Sequence, residues 1–575
     1  MLVCSDLLFS LIICSRVDLF PCFLDVDHRC LARIDLVMGK EQQQQIQRMS
    51  SDRRKWNMSA TAADRPERAA TGIAGLDELL GGGLPRTHLY LVQGAPGTGK
   101  TTLGLQFLLA GVHQGESALY FTMAETSEEL QQVADSHGWS LESSLIRELS
   151  VISVTQAELQ QTIFPPSEIE LDELFEVIFH QLQQRRPQRV VFDPITEIRV
   201  LAASSLRYRR KILLLRQHLL ALDCTTLFLS DEPPATAEYP PISLVQGVIS
   251  LARTVPVYGP TQRTLEVSKL RSVSYVEGYH NFRIRTGGLE VYPRIPPFER
   301  EAHSTWEVIS SGVSELDALV GGGLETGTAC LIAGQSGTGK TTLAMLYAYA
   351  AVQRSESAAV FLFDERSETW YHRAASMGMD LHPAVVEGRL HVRQIGTGEI
   401  SPGEFGYLIR QLVEEAKIKV LVLDSLSGYL NDMVETPLVV HQMHELLSYL
   451  GHCGVLTLMV VTQHGTPGGS TYDPLDLSYL ADTVLLTRHF EAAGTVHQAI
   501  SVLKKRYATH ERTIRELRIG ARGIEVSAPL TGFRGVLTGN PFYEGDLPPF
   551  GATKQGPEPP TSAPVAAGEV ENAQR

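Results

Sequence analysis

Two glycine-rich segments carry residue types that bind phosphate. They span residues 94–102 and 334–342, and both have the form G-x-x-x-x-G-K-[ST]. Glycines let backbone N–H groups turn toward phosphates, the lysine places its charge on the β and γ oxygens, and the hydroxyl holds Mg²⁺. The sequence therefore predicts two ATP sites with Mg²⁺. The predicted binding residues are Gly94, Gly97, Thr98, Gly99, Lys100, Thr101 and Thr102, and Gly334, Gly337, Thr338, Gly339, Lys340, Thr341 and Thr342.

Each loop has the local context that such a site needs. Apolar runs at residues 89–93 and 329–333 precede the loops and are typical of strands, and an apolar, helix-periodic segment follows each loop. A strand, loop and helix in this order aim the helix N-terminus at the phosphates.

Acidic residues follow the next predicted strand in both regions. The run 118–123 ends at Ala124 and Glu125, and the run 358–363 ends at Asp364 and Glu365. Ligands of parallel sheets bind beyond the carboxyl ends of the strands. Glu125, Asp364 and Glu365 are therefore candidate catalytic residues that orient or deprotonate an attacking water or hydroxyl. The alternative is that these acids cap the helix that follows.

A further apolar run ends in aspartate in each half. Asp193 closes the run 189–193, and Asp424 closes the run 419–424. At this distance after a phosphate loop, such an aspartate predicts an Mg²⁺ site shared with Thr101 and Thr341, with direct contact or contact through water both open.

A basic pair occurs late in each half. Lys269 and Arg271, like Lys504 and Arg506, follow β-like apolar stretches. Alternate positions on a strand share a face, so each pair can point at one anion. The functional interpretation is an arginine-finger role completed across a subunit boundary. The alternative is a solvated pair on an edge strand.

The sequence contains an internal duplication. A motif of the form [TS]-G-x-x-x-L-D-x-L-x-G-G-G-L occurs at 71–84 and 311–324, and both this motif and the loops are displaced by 240 residues. Two α/β domains are predicted, at 60–296 and 304–540, each a mainly parallel sheet flanked by helices. Residues 1–59 are expected to be an extension that is disordered or not part of the native product. The Pro-rich tail, 541–575, is expected to be disordered.

Composition limits the classes of partner. With 50 basic and 65 acidic residues among 575, the formal net charge is −15, so no chain-wide basic field favours nucleic acid. The apolar stretch at the N-terminus is interrupted by charges and is too short to span a membrane. The seven cysteines have no zinc or redox spacing, and a reducing cytoplasm suits them.

These motifs together resemble the KaiC family of tandem RecA-like ATPases and Ser/Thr autokinases. The resemblance rests on the repeated head motif, the loops G-x-x-G-T-G-K-T-T, the acidic strand ends, the segment D-S-L-S at 424–427 and the K-x-R pairs, and it covers residues 65–540. It implies a RecA-like fold in each half and a double-ring homo-hexamer with ATP at the subunit interfaces. It also implies regulatory or signalling protein partners.

The resemblance assigns roles to further positions. The paired catalytic glutamates of the family fall on Ala124 and Glu125 and on Asp364 and Glu365, and its Ser-Thr phosphoacceptor pair falls on Ser478 and Tyr479. Ser478 is thus a candidate phosphoacceptor, with an ordinary polar residue before a strand as the alternative. Two other functions stay open, a DNA-dependent ATPase of the RecA/RadA type and a nucleotide-gated scaffold with little turnover.

Overall fold

The computed structural model describes most of the chain between residues 67 and 544. The described ranges are 67–149, 166–202, 204–231, 243–256, 260–295, 306–396, 398–432, 436–463, 474–492, 494–521, 523–537 and 541–544. The expected N-terminal extension, 1–59, lies outside them. The expected tail begins differently, because strand Phe542–Tyr543 pairs with Phe533–Arg534 and so extends paired backbone into the segment predicted to be disordered. Residues 545–575 lie outside the described part.

The first copy of the repeat consists of eleven strands and six helices within its described residues. Its strands are β1 Arg68–Ala69, β2 Leu84–Pro85, β3 Leu89–Gln93, β4 Ala118–Thr122, β5 Ile146–Glu148, β6 Arg189–Asp193, β7 Thr225–Ser230, β8 Gly247–Thr254, β9 Gln262–Leu270, β10 Tyr279–Arg285 and β11 Gly288–Tyr292. Its helices are α1 Ala74–Leu79, α2 Lys100–His113, α3 Ser127–Ser136, α4 Pro166–Arg185, α5 Thr196–Ala202 and α6 Ser205–Ala221.

The second copy repeats this order of elements. Its strands are β12 Val308–Ile309, β13 Leu324–Glu325, β14 Ala329–Gly334, β15 Ser357–Leu362, β16 Leu390–Gln394, β17 Ile418–Asp424, β18 Leu456–Thr462, β19 Thr483–Ala492, β20 Thr495–Lys505, β21 Ile514–Gly520, β22 Gly523–Pro529, β23 Phe533–Arg534 and β24 Phe542–Tyr543. Its helices are α7 Ser314–Leu319, α8 Lys340–Gln353, α9 Ser367–Ser376, α10 His382–Val386, α11 Pro402–Glu414, α12 Leu426–Asp432 and α13 Thr436–His452.

Both copies form a nine-stranded sheet with the same strand order. The first sheet runs β11-β10-β9-β8-β3-β7-β6-β4-β5, and the second runs β22-β21-β20-β19-β14-β18-β17-β15-β16. From β8 to β5, and from β19 to β16, neighbouring strands are parallel, whereas the last three strands on the other side pair antiparallel. The prediction of two tandem RecA-like α/β domains is confirmed.

The central strands are apolar on both faces because helices cover both faces. In β3, Tyr90 and Val92 belong to one core cluster, and Leu89 and Leu91 belong to another on the opposite side of the sheet. Such two-sided burial is the reason that these strands appear in the sequence as continuous apolar runs. Each sheet then presents its carboxyl edge to the phosphate loop that follows its central strand.

Strand β10 joins the first copy to helix α11 of the second within one compact unit that begins at Arg68. The carboxylate of Glu404 lies 2.8 Å from Arg283 Nε and accepts a 2.8 Å hydrogen bond from Arg285. The side-chain oxygen of Asn281 accepts a hydrogen bond from the backbone N–H of Gly403. Positions 281, 283 and 285 share one face of the strand, as the alternation of side chains requires.

None of the helices that the structure describes is long and apolar enough to cross a membrane. Cys224 and Cys330 are buried, and Cys453 is half-buried. Burial raises the pKa of the Cys224 thiol to about 12, so this side chain packs as a small neutral group.

Candidate nucleotide sites

The two phosphate loops have the same backbone conformation. The glycines before the lysines, Gly99 and Gly339, have φ angles of 102° and 91°, and Gly97 and Gly337 have φ angles of 77° and 79°. Residues with side chains rarely adopt this left-handed region, so the glycines are required by the turn itself. Helices α2 and α8 begin directly at Lys100 and Lys340, which points their N-termini at the loops.

Close packing gives a second reason for glycine before each lysine. A Cβ atom on Gly99 would lie 2.6 Å from the Ile284 side chain of β10. A Cβ atom on Gly339 would collide with the corresponding Ile519 of β21. The antiparallel extension of each sheet therefore packs directly against the loop of its own copy.

Lys100 is held by three acceptors. Its Nζ donates to the carbonyl oxygens of Gly94 at 2.8 Å and Ala95 at 3.1 Å, and it lies 2.7 Å from Asp231 Oδ1. Asp231 directly follows β7. An ammonium group has three N–H donors, so these contacts use all of them.

Lys340 has a different environment. Its Nζ donates to the carbonyl oxygen of Gln335 at 2.7 Å. Burial lowers the pKa of Lys340, and the charge of Asp424 acts in the opposite direction. The two lysines thus occupy equivalent positions but differ in the acceptors that surround them.

A cleft of about 440 Å³ lies over the first loop, and acidic side chains line it. Asp193 Oδ2 accepts hydrogen bonds from Thr101 Oγ1 at 2.8 Å and from the Tyr120 hydroxyl. Burial raises the pKa of Asp193, while these two donors lower it. Burial also raises the pKa of Glu125, and the charge of Asp193 adds to the effect.

The second site also contains acids, and Arg373 adds a cation beside them. Asp364 accepts a hydrogen bond from the Ser425 hydroxyl, and Glu365 forms an ion pair with Arg373. Burial raises the pKa of Asp424 to about 6, although a hydrogen bond from Thr341 opposes this rise. Burial likewise raises the pKa of Glu365, which Arg373 partly offsets.

The chemistry of both sites fits a magnesium ion held together with a nucleotide. Glu125 Oε2 and Asp424 Oδ2 are buried without a hydrogen-bond partner among the described residues. Threonine hydroxyls stand beside the aspartates, as Mg²⁺ bound to a phosphate loop requires. The described residues contain no cluster of three or more metal-binding side chains. Thr101 with Asp193, and Thr341 with Asp424, would therefore need phosphate and water oxygens to complete the coordination.

Helix capping does not account for the acids that follow β4 and β15. The N-cap of α3 is Thr126, which accepts from the Glu129 N–H, while the Glu129 carboxylate binds back to the Thr126 N–H. The N-cap of α9 is Arg366. The capping alternative for Glu125 and Asp364 is therefore wrong.

The basic pairs lie at the end of each sheet where the parallel strands begin. The phosphate loops lie at the other end, where these strands finish. In the second copy, Lys504 donates to the carbonyl oxygens of Ser478 and Ala481, both at 2.8 Å, and Arg506 donates to the carbonyl oxygen of Tyr479.

Strand β20 lies between β19 and β21, and β9 likewise lies between β8 and β10. The edge-strand alternative is therefore wrong.

The same placement holds in the first copy. Lys269 donates to the carbonyl oxygen of Val245, and it pairs across the sheet with Val248 at the start of β8. Burial lowers the pKa of Lys269, and the charge of Arg271 adds to this. Within one chain, the structure thus brings together the loops and the acids, and it separates them from the K-x-R pairs and Ser478.

Three features of the sites were missed in the sequence. Asp231 follows the apolar strand β7, so the rule that identified Asp193 would also have found it. Tyr120 lies inside a buried strand, and only its contact with Asp193 distinguishes it from a core residue. Arg373 lies in the second turn of α9 and forms an ion pair with Glu365, and Val133 occupies its position in the first copy.

Comparison with known proteins identifies the same repeat. A family model described as "ATPase: KaiC" matches residues 69–295 and again residues 309–531. The circadian clock oscillator protein KaiC of Acaryochloris marina is 28% identical over 482 residues, which cover 82% of this chain and 90% of that protein.

Other relatives align over similar lengths. The circadian clock protein KaiC3 of Synechocystis is 26% identical over 491 residues, 84% of this chain and 95% of that protein. The circadian clock oscillator protein KaiC of Synechococcus elongatus is 27% identical over 484 residues, 82% of this chain and 91% of that protein.

Proposed function

Because the chain belongs to the KaiC family of ATPases, we propose that it binds Mg-ATP and that its second copy is a Ser/Thr autokinase. In this proposal, the chain acts as a homo-hexamer, modifies Ser478 of a neighbouring subunit, and signals its nucleotide and phosphorylation state to regulatory protein partners. The first copy binds nucleotide mainly to support assembly.

One observation carries the proposal, namely that Ser478 and the K-x-R pair share one edge of the second sheet. Strand β19 begins beside Cys330 at the start of β14, whereas the phosphate loop follows Gly334 at its end. The strand rises about 13 Å from Cys330 to Gly334. Ser478 is thus remote from the nucleotide of its own chain, and transfer requires the nucleotide of another subunit.

The side chains of the second copy suit this transfer. Asp364 is exposed at the carboxyl edge and accepts a hydrogen bond from the Ser425 hydroxyl, so it is placed to accept the proton of an attacking serine. The serine oxygen would bond to the γ-phosphorus as the bond to the β-phosphate oxygen breaks, and ADP would leave. Lys340 and the incoming Arg506 would stabilise the charge on the transferred group, and bound Mg²⁺ would neutralise the β and γ oxygens.

The first copy supports a second candidate role, a nucleotide-gated scaffold with little turnover. Its equivalent of Asp364 is Ala124, which has no proton acceptor. Glu125 remains in the site, but its position corresponds to Glu365. We therefore expect nucleotide binding at Lys100 to control assembly more than hydrolysis.

A subunit-mixing experiment tests transfer between chains. One chain carries Lys340→Ala with Ser478 intact, and a larger, tagged chain carries Ser478→Ala with an intact second loop. After incubation with γ-³²P-labelled ATP, label is expected on the Lys340→Ala chain in the mixture and on neither chain alone. Phosphopeptide mass spectrometry should locate the label at Ser478.

Two controls sharpen the result. Tyr479→Phe should leave labelling unchanged, because the hydroxyl that accepts phosphate is that of Ser478. Single-stranded DNA should leave ATP turnover unchanged, whereas strong stimulation would favour the DNA-dependent ATPase. Label on an isolated chain that keeps both Lys340 and Ser478, without label in the mixture, would contradict transfer between subunits.

A further inference from the structure

Asp231 distinguishes the first nucleotide site from the second. Its carboxylate lies 2.7 Å from the Lys100 ammonium and is 44% exposed, so it lies at the mouth of the cleft rather than in the core. The neighbouring carbonyls of Gly94 and Ala95 use the other two donors of the ammonium.

Strand register identifies the residue that replaces Asp231 in the second copy. In the first sheet Gln93 pairs with Ser230, so Asp231 follows one position later, opposite Gly94. In the second sheet Gly334, which corresponds to Gly94, pairs with Thr462. An anionic carboxylate in one copy therefore stands where the other copy has a neutral hydroxyl.

We propose that Asp231 makes the first copy prefer a nucleoside diphosphate to a triphosphate. The inference rests on the proposed nucleotide binding by this copy. The lysine of a phosphate loop contacts the β and γ oxygens. With a diphosphate, Lys100 can bind the β-phosphate and keep Asp231 as its second anionic partner. With a triphosphate, the γ oxygens compete with Asp231 for the same ammonium, and the two anions repel each other.

The surroundings strengthen this preference. The charge of Asp231 acts on Asp193 and Glu125, so three carboxylates face the same cleft. In the second copy, the positive charge of Arg373 partly neutralises the acids through its ion pair with Glu365. The first copy has the uncharged Val133 at that position. A γ-phosphate therefore adds charge to a site that already has an excess of negative side chains.

The test measures affinity rather than activity. In the full-length Lys340→Ala chain, only the first copy retains its phosphate-loop lysine. Calorimetry with Mg-ADP and with a non-hydrolysable Mg-ATP analogue gives the ratio of the two Kd values. Asp231→Thr, which installs the residue of the second copy, should shift this ratio about tenfold toward the triphosphate. Asp231→Asn should do the same, which separates charge from shape.

The reciprocal change provides an independent arm. In the full-length Lys100→Ala chain, Thr462→Asp should shift the second copy about tenfold toward the diphosphate. This arm decides the question if the Asp231 variants do not fold, as judged by their thermal unfolding midpoints.

The outcomes separate the inference from the proposed function. Unchanged ratios in the folded variants would overturn the role of Asp231 while leaving nucleotide binding intact. If the Lys340→Ala chain binds neither nucleotide, with or without Asp231→Thr, the nucleotide role of the first copy fails together with the inference.

Discussion

The first and second nucleotide sites share a backbone but differ in charge. Both loops have left-handed glycines, a helix that begins at the lysine and an aspartate at the end of the parallel strand two places away in the sheet. The first copy surrounds its lysine with acids, whereas the second pairs one of its acids with Arg373. The two copies thus share the backbone that binds phosphate and differ in the charged side chains that surround it.

The largest expected effect is the difference between substitutions of Lys340 and Lys100. Lys340→Ala should reduce transfer of γ-phosphate to protein by about 1000-fold, because it removes the charge that binds the reacting group. Lys100→Ala should retain labelling in each assembled ring and chiefly impair nucleotide-dependent assembly. Radiolabelling after gel filtration with and without Mg-ATP measures both. Equal labelling of the Lys340→Ala chain and wild type would contradict the assignment.

The next prediction concerns the acid that the first copy lacks. Asp364→Asn should lower phosphotransfer by about 100-fold, because the amide keeps the shape but cannot accept the proton. Ala124→Asp should raise ATP hydrolysis by the first copy, measured in the Lys340→Ala background by release of inorganic phosphate. If Asp364→Asn is fully active, another group must be the base.

A smaller effect concerns the pH dependence of stability in the second copy. The pKa of Asp424 rises from 3.8 to about 6 on folding. Between these values the folded state keeps a proton that the unfolded chain has lost, so the free energy of unfolding falls as pH rises through this window. The shift corresponds to at most about 3 kcal/mol, and we expect about 2 kcal/mol.

Denaturant titrations at pH 4 and pH 7, with chelator and without nucleotide, measure this effect against Asp424→Asn, which should lose this component of the decline. Asp193→Asn is the matched control. Hydrogen bonds from Tyr120 and Thr101 oppose the rise in the pKa of Asp193, so a smaller change is expected there. Identical pH profiles for wild type and Asp424→Asn would contradict the prediction.

The smallest effect concerns Tyr120. Tyr120 pairs with Val191 in the first sheet, and Val360 pairs with Val422 at the same place in the second sheet, so the second copy has valine where the first has tyrosine. Tyr120→Phe removes a hydrogen bond to Asp193 and should lower the free energy of unfolding by about 1 kcal/mol. A double-mutant cycle with Asp193→Asn, followed by denaturant titration, should give a coupling energy of similar size. Additive effects would mean that the two groups act independently.

The sequence predicted the strands and phosphate loops of the sites better than the balance of charged side chains in them. The predicted runs 89–93 and 189–193 match strands Leu89–Gln93 and Arg189–Asp193, because strands buried on both faces are continuous apolar runs. The loops were identifiable because glycine, lysine and threonine at fixed spacing have few other uses. The catalytic acids, the K-x-R roles and the phosphoacceptor remain predictions.

Contacts between distant segments could not be predicted. The pairing of Lys100 with Asp231 joins the first residue of helix α2 to the residue that follows β7, and their separation depends on the strand order of the sheet. The basic pairs were compatible with an edge strand because sequence alone did not show that further strands continue the sheet. Both cases depend on topology rather than on local pattern.

Strand β10 has a practical consequence for anyone who would study the halves separately. The strand packs Ile284 toward the first phosphate loop and directs Arg283 and Arg285 to Glu404 of α11. A chain cut between the copies would remove both arginines from the Glu404 carboxylate, which is only 10% exposed in the intact chain. It would also remove the Tyr292 ring, which packs against Tyr407 of α11, and so expose apolar surface. A liberated C-terminal half should therefore be less soluble and less stable than the same residues in the intact chain.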